Sequence, residues 1–372
     1  MLLREVVALL EADYPPSLAE SWDAVGLVCG DPGAQVRRVH FAVDPVEEVV
    51  AEALERGADL LVTHHPLYLR GTSSVAATDP KGRVVHALVR GGCALHVAHT
   101  NADRADPGVS DALAGLFDLR DTAPLQPAAG AALDTLAVTV PVEGAARLRE
   151  ALHEAGAGEA GAYDRVSWSS TGSGRFRPLG GARPAIGEPG RLEVVEEERV
   201  EVVLQRGRRA QVLAAMRAAH PYEEVAFDLH EQVAVPGRTG LGRVGELPAP
   251  LTLRELVDRA AAVLPATAWG VRGAGDPDAV VHRLAVSGGA GDSLLGVAAG
   301  SGAQAFLTSD LRHHPAAERP AGLALLDAAH WATEAPWLDA AAARLAVLTG
   351  LEVGVSRLVT DPFCLSSRSP HA

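Results

Sequence analysis

The feature that most constrains the fold is an apolar segment at residues 58–63 that ends in two adjacent histidines, His64 and His65. Its unbroken apolar character is typical of a strand that is covered on both faces. A second such segment at residues 94–98 is followed shortly by Asp103. Helical periodicity separates the two strands, which predicts an α/β fold with a largely parallel, helix-covered sheet. Ligands of open α/β sheets bind at the carboxyl ends of the strands, so we expect these polar side chains to lie together.

A third polar pair lies far along the chain, where a predicted strand at residues 323–327 gives way to a helix. His330 and Glu334 are four residues apart, which places them on one face of that helix. Such pairs are common on exposed helices, but Trp331 and Trp337 beside this one indicate a packed helix. We therefore expect the two halves of the chain to fold together around one site.

These positions supply five candidate metal ligands, all with nitrogen or carboxylate donors: His64, His65, Asp103, His330 and Glu334. Such a set suits Zn, Mn, Fe or Co, and it is large enough for two ions that share a bridging carboxylate or water. A lone histidine is usually a surface or core residue, but a pair after a buried strand favours metal binding. Two-metal sites usually activate water, so the set predicts a metal-dependent hydrolase.

A second polar cluster contains Asp310, His313 and His314. Ser309 or Asp310 is a suitable N-cap for a helix, so part of this pattern has a purely structural interpretation. The functional interpretation is that Asp310 or His314 moves a proton during catalysis, or contacts the substrate.

The pattern of residue types along the sequence changes near residue 125. Pro124, Pro127 and the alanine-rich residues after them are interpreted as a linker. The segment that follows has a β-α-β-β-α-β order, which is typical of a ferredoxin-like unit. We therefore predict a discontinuous core of residues 1–125 and 236–372, with an inserted domain at 126–235.

The net charge of the 372-residue chain is −14, and Lys81 is its only lysine. This balance disfavours broad binding to nucleic acid backbones, including a DNA-binding ring. The lysine lies in neither a P-loop nor a Schiff-base setting. Three widely spaced cysteines without a CxxC pair indicate neither a thiolate zinc site nor a disulfide framework. The chain shows no secretory signal and no apolar stretch long enough to span a bilayer, so we predict a cytoplasmic protein.

Two glycine-rich segments resemble nucleotide-binding loops. Residues 240–245 match GxGxxG, but no strand precedes them, and Pro248 and Pro250 prevent a helix from starting at their end. A strand and turn are the better interpretation there. Residues 171–175 lack a following helix N-terminus, so we interpret them as a flexible loop.

Further motifs extend nearly from end to end of the chain: Trp22–Leu27, Thr63–Leu67, His99–Asp103 with Gly108 and Asp111, Gly240–Leu247, Asp310–His314 and Asp327–Glu334. By these motifs the chain resembles the Nif3-like dinuclear metal-centre proteins, which are often labelled homologues of a type 2 GTP cyclohydrolase I. Its segment His220–Glu224 resembles the PII/CutA-like domain that long bacterial members carry as an insert.

The resemblance implies a two-metal site at the positions that match the five candidate ligands. It also implies a ring-shaped homohexamer whose sites face an internal cavity. Ala329 stands where the family often has glycine, and it should be tolerated unless that position needs a positive φ. The resemblance does not define a reaction, because family membership does not fix the substrate.

We expect His65 and Asp103 to hold one metal ion, and His64 and His330 to hold the other, with Glu334 between them. The expected substrate is a small nucleotide- or pterin-like metabolite. The alternative is a non-enzymatic hexamer that stores, delivers or senses a metal, with the insert docking a partner. Turnover that is lost on metal removal would distinguish the two.

Overall fold

The computed structural model describes residues 1–128, 130 and 132–367. Fifteen strands are assigned within these residues. They are β1 Gly26–Cys29, β2 Arg38–Ala42, β3 Leu60–Thr63, β4 Ala94–Val97, β5 Arg120–Pro127, β6 Leu133–Pro141, β7 Trp168–Phe176, β8 Glu193–Gln205, β9 Phe227–Glu231, β10 Gly240–Thr252, β11 Val271–Ala274, β12 Val280–Ala290, β13 Ala305–Ser309, β14 Ala324–Ala328 and β15 Glu352–Val355.

Eleven α-helices alternate with these strands over the same described residues. They are α1 Leu3–Asp13, α2 Glu47–Glu55, α3 Pro80–Gly91, α4 Thr100–Arg104, α5 Val109–Leu116, α6 Val142–Glu154, α7 Arg209–Ala219, α8 Leu253–Val263, α9 Leu295–Gly300, α10 His313–Ala317 and α11 His330–Thr349. In this part of the chain, no helix combines the length and the apolar character needed to cross a membrane.

The chain divides into two compact units, one formed by Met1–Ala128 with Gly237–Ala372 and the other by Ala129–Pro236. In the first unit, one sheet has the strand order β1-β4-β3-β2-β15. Strands β4, β3, β2 and β15 run parallel, and only β1 is antiparallel to its neighbour. All four residues of β3 and of β4 are buried. This sheet is therefore the largely parallel, helix-covered sheet that the sequence predicts.

A second sheet in the same unit has the order β11-β14-β13-β12-β10-β5. Only β12, β13 and β14 run parallel in it, and the outer strands pair antiparallel. The expectation of a mostly parallel core is therefore wrong for this half. The physical reason is that β10 and β5 join the sheet through antiparallel pairing, which needs no crossover helix.

Helix α11 packs against both sheets of the first unit: it contacts β2 and β15 on one side and β12 and β13 on the other. Its apolar residues, among them Trp337, Leu338 and Leu345, belong to a core cluster that also contains Phe41 and Val62. A helix that is apolar on most of its surface suits a position between two layers. This packing brings the first turn of α11 to the carboxyl ends of strands from both sheets.

The interpretation of Pro124 and Pro127 as linker residues is wrong, because both lie in β5. This strand pairs with β10 and stands at the end of its sheet. An edge strand tolerates proline because one row of its backbone N–H groups has no ladder partner. The structure describes only part of the alanine-rich run that follows, and the interpretation of Ala129 and Ala131 lies outside the described residues.

The two glycine-rich segments are both strands. Gly240–Gly245 opens β10, which agrees with the interpretation against a dinucleotide site. Residues 171–175 lie within β7, so the expectation of a flexible loop is wrong. Continuous antiparallel pairing with β8 supplies the backbone hydrogen bonds that this glycine-rich segment would otherwise lack.

The second unit contains one four-stranded sheet of order β7-β8-β6-β9, in which every pair is antiparallel. Helices α6 and α7 complete a β-α-β-β-α-β sequence of elements, the ferredoxin-like order. Both helices contribute to a core with the sheet, through Leu148 and Leu152 of α6 and Val212 and Met216 of α7.

One core residue of the first unit predicts a pH dependence of stability. His96 on β4 is 1% exposed, and neither ring nitrogen has a hydrogen-bond partner among the described residues. Burial lowers its pKa from 6.5 to about 4. The unfolded chain therefore takes up this proton first as the pH falls. The free energy of unfolding should drop by about 3 kcal/mol between pH 7 and pH 4 on account of His96.

Denaturant unfolding of wild type and His96→Leu across this pH range measures the effect. The variant should lose less stability than wild type on acidification, whereas a matched change at the exposed His314 should leave the wild-type slope intact. Equal slopes for wild type and His96→Leu would contradict the assignment.

Candidate metal centre

The predicted ligands come from three places in the first unit. His64 and His65 directly follow β3, and Asp103 lies on α4, just beyond β4. His330 and Glu334 lie on the first turns of α11, which follows β14. Parallel pairing of β3 with β4 puts their carboxyl ends at one edge, and α11 adds the third element there. The structure therefore brings residues from widely separated parts of the sequence to one place.

The carboxylate of Glu334 is the centre of the cluster. Its Oε1 lies 2.9 Å from His330 Nε2 and 3.4 Å from His64 Nε2, and its Oε2 lies 3.1 Å from His65 Nε2. The side chain is 3% exposed. Backbone room for it comes from Gly289, where an added Cβ would meet Glu334 Oε1 at 2.7 Å. One buried carboxylate thus faces three imidazoles.

Each histidine is oriented by an acceptor on its far side. His64 Nδ1 donates to Ala98 O at 2.9 Å, and His65 Nδ1 donates to Asp44 Oδ1 at 2.7 Å. His330 Nδ1 donates to Asp310 Oδ2 at 2.7 Å in the same way. Such bonds fix the tautomer and leave Nε2 as the free nitrogen, as is usual for metal-binding histidines.

His99 is a further candidate ligand that the sequence interpretation missed. One donor atom from each of His64, His65 and His99 lies within 4.8 Å of the others, and the same holds for His65, His330 and Glu334. Its Nδ1 donates to Asp23 Oδ1 at 2.8 Å. The signal that could have found it was its place two residues after a buried strand, which matches that of His65. Asp23 and Asp44 were also missed as orienting residues.

The contacts also differ from the expected division of ligands between two ions. Asp103 was paired with His65 in the sequence interpretation, but its Oδ1 lies 3.7 Å from His64 Nε2. The ring of His65 instead neighbours that of His330, with centroids 5.3 Å apart. Beyond Glu334, His64 faces Asp103 and His65 faces Asp44, so the two adjacent histidines have different second carboxylates.

Three buried polar atoms indicate whether these residues suit a cation. His64 Nε2, Asp103 Oδ1 and Glu334 Oε2 are shielded from solvent and have no hydrogen-bond partner among the described residues. Their neighbours lie at ion-pair distances but not in hydrogen-bonding geometry. Leaving such a group unsatisfied costs about 1–3 kcal/mol, and more when it is charged. A metal ion would satisfy all three, so the donor set fits the ions that bind nitrogen and carboxylate ligands.

The electrostatics of the cluster agree with that fit. Burial opposes ionisation of Glu334, but the charges of His65, His330 and His64 hold its pKa well below the usual range. The Glu334 charge is the main reason that the pKa of His330 rises to about 11. Burial lowers the pKa of His65, yet Glu334 and Asp44 raise it overall to about 10. Burial raises the pKa of Asp103 to about 6. Positive charge is thus stabilised at the centre of the cluster.

The two predicted proton-transfer residues lie in different settings. Asp310 hydrogen-bonds His330, and this bond lowers the pKa of its carboxyl group. Its φ of 55° is a left-handed conformation that aspartate tolerates better than most residues. It is not the N-cap of α10, which is Arg312. His314 is exposed on α10 with its ring beside His313, and no contact between described residues joins it to the cluster.

A cleft of about 390 Å³ borders the cluster on the side of His65 and His330. These two side chains are 24% and 34% exposed, whereas His64 is fully buried. Trp269 and Phe363 line the same cleft, with ring centroids 5.8 Å apart and planes inclined by 38°. Half of the cluster is therefore closed to solvent, and the other half can meet a small molecule.

The fold and the cluster define a mixed α/β protein with histidine and glutamate groups able to bind a metal ion. The family model described as Duf34/NIF3 (NGG1p interacting factor 3) matches residues 1–362, and the chain belongs to that family. At Ala329, where the resemblance suggested glycine, φ is −65°, so alanine is accommodated without strain.

Relatives and solved structures agree with this membership. A Mycobacterium tuberculosis protein named GTP cyclohydrolase 1 type 2 homolog is 53% identical over 368 residues, covering 98% of this chain and 97% of the relative. A Bacillus cereus structure described as related to NIF3 has 34% identity and a TM-score of 0.73, covering 98% of this chain and 99% of that one. A Staphylococcus aureus structure has 26% identity and a TM-score of 0.81, with 98% of both chains covered.

Proposed function

We propose that the cluster binds two divalent metal ions and that the protein is a metal-dependent hydrolase of a small nucleotide- or pterin-like metabolite. The observation that carries the proposal is the division of the ligand set. His64 and Glu334 are buried and one carboxylate oxygen of Asp103 is shielded from solvent, whereas His65 and His330 border a cleft. Catalytic metal sites differ from structural ones in keeping such an open side.

We assign His64 and Asp103, with His99, to one ion and His65 and His330 to the other, with Glu334 between them. The contacts of Asp103 with His64 and of His330 with Glu334 support this division, and His65 lies near both groups. Divalent ions at such a site supply Lewis acidity, which polarises a carbonyl, imine or phosphoryl group and activates water near neutral pH.

The other residues of the cleft orient the metal ligands or contact the substrate. Asp44 and Asp310 keep the Nε2 atoms of His65 and His330 directed at Glu334. We assign Asp310 an orienting role rather than proton transfer, because its lowered pKa leaves it ionised near neutral pH and makes it a weak base. Trp269 and Phe363 offer aromatic faces against which a planar heterocycle can stack, which supports a nucleotide- or pterin-like substrate.

The name of the relative, GTP cyclohydrolase 1 type 2 homolog, describes that protein, and it supports the proposal of a hydrolytic reaction on a nucleotide here. We propose further that the second unit is a PII/CutA-like domain, and its β-α-β-β-α-β order supports this. The homohexamer implied by the resemblance stays a prediction. Its mass would be six chains of 38.6 kDa in light scattering.

The test is elemental analysis of protein purified without added metal, followed by a hydrolysis screen on nucleotides and pterins. We expect about two ions per chain and turnover that a chelator abolishes and metal restores. His65→Ala should lose at least about one ion per chain and all turnover, because it removes a ligand that faces the cleft.

His314→Ala is the matched control, since this exposed histidine lies outside the cluster. Two tightly bound ions in His65→Ala would overturn the ligand assignment. Two ions in wild type with no turnover of any substrate in the panel would favour the metal-handling function instead. No bound metal after reconstitution would refute the proposal altogether.

A further inference from the structure

The second unit contains a cavity of about 440 Å³ that none of the metal chemistry uses. Its walls are strands β7 and β8, the loop at residues 177–186 and the segment 222–226. All of these residues belong to the second unit, so the cavity is complete within it. Its volume falls in the range of pockets that bind small molecules.

A buried carboxylate forms the floor of this cavity. Glu197 on β8 is 9% exposed, and its Oε1 accepts a hydrogen bond of 3.1 Å from the Tyr222 hydroxyl. No arginine, lysine or histidine among the described residues lies within ion-pair distance of it. Buried glutamates are rare without a cationic partner, because a neutral donor offsets only part of the lost hydration.

The backbone around Glu197 is built to hold it there. A Cβ at Gly174 would lie 2.2 Å from Glu197 Oε2, so the glycine makes room for the carboxylate. Tyr222 is fixed in turn by His220, whose Nδ1 accepts from Tyr222 N at 3.0 Å and whose Nε2 donates to Thr139 O at 2.8 Å. The charged floor is therefore preorganised rather than accidental.

Beside these polar groups, the lining has an aromatic and apolar part. Phe176 packs edge-on against Tyr222 with centroids 5.4 Å apart, and Leu179 and Ile186 line the cavity from the loop. Among the residues that line the cavity, Arg175 and Arg177 are matched in number by Glu223 and Glu224, which leaves the charge of Glu197 unbalanced. Such surroundings suit a ligand with one positive group and an apolar body.

We infer that this cavity binds a small organic cation, in which an ammonium or guanidinium group pairs with Glu197 and an apolar body lies against Phe176 and Leu179. The pairing would supply the buried carboxylate with the cationic donor that it lacks. This site is separate from the metal cluster, and neither the ions nor the proposed hydrolysis is needed for it.

Isothermal titration of the full chain with phenethylamine tests the inference. The matched probes are phenethyl alcohol, which is neutral, and hydrocinnamate, which is negatively charged. We expect phenethylamine to bind at least about tenfold more tightly than either, because only the ammonium can pair with Glu197. Glu197→Gln should weaken phenethylamine binding at least about tenfold, since it removes the charge and keeps the shape.

Glu196→Gln is the control, because Glu196 is exposed on the same strand and does not line the cavity. If Glu197→Gln fails to fold, Ala185→Trp serves instead, since it fills the cavity from an exposed loop position. Ala185→Trp should also weaken phenethylamine binding at least about tenfold. The inference is overturned if wild type binds neither phenethylamine nor agmatine at millimolar concentration. Equal binding of the alcohol, or undiminished binding by the variant that folds, would also overturn it.

Discussion

Glu334→Gln is expected to abolish tight metal binding while leaving the fold intact. The carboxylate contacts His64, His65 and His330 at 2.9–3.4 Å and is 3% exposed, so it is the buried charge that all three rings share. Glutamine has the same shape but no charge and only one acceptor oxygen. Changes in groups that merely orient ligands cost about 10–100-fold in affinity, so we expect a loss above about 100-fold.

Elemental analysis after dialysis measures this loss, and thermal unfolding with and without added metal checks it independently. Metal should raise the unfolding temperature of wild type, because it binds the folded state, and should no longer do so in the variant. Glu318→Gln is the matched control, since Glu318 is exposed on the surface. A Glu334→Gln protein that retains the wild-type metal content would contradict the central role of this carboxylate.

Arg243→Met is expected to give the largest loss of stability. Arg243 on β10 is 2% exposed and binds Asp111 through two hydrogen bonds of 2.6 and 2.7 Å. It also donates to the backbone oxygens of Gly240, Gly242 and Ala105 at 2.6–2.8 Å. Methionine fills the space, but three carbonyls lose this donor and the Asp111 carboxylate loses its cationic partner. Breaking one partner of a buried ion pair costs about 3–5 kcal/mol.

Denaturant unfolding measures this effect, with Arg238→Met as the control. Arg238 makes a comparable ion pair with Asp106 but is 74% exposed, so its loss should change little. Because Ala105 lies two residues beyond Asp103, Arg243→Met should also weaken metal binding in the protein that remains folded. Equal stability of the two variants would show that the buried pair contributes nothing specific.

Much of the local structure could be predicted from the sequence. The apolar runs that became β3 and β4, and the element order of the second unit, follow from periodicity and from glycines at helix ends. The errors have a common cause. Proline and glycine are residue types typical of turns, but Pro124 and Gly174 both lie in strands because a neighbouring strand pairs with them. Tertiary pairing overrides intrinsic preference when an edge is available.

The sequence by itself determined which side chains stand at strand ends: His64 and His65 after β3, and the pair His330 and Glu334 at a helix start. Only the tertiary structure decided that Asp103 faces His64, that His99 lies in the cluster, and that Asp44 and Asp23 orient two of the histidines. Local periodicity fixes the direction of a side chain relative to its own strand or helix. Which ends meet depends on the packing of α11 between two sheets, and that packing is set by the whole core at once.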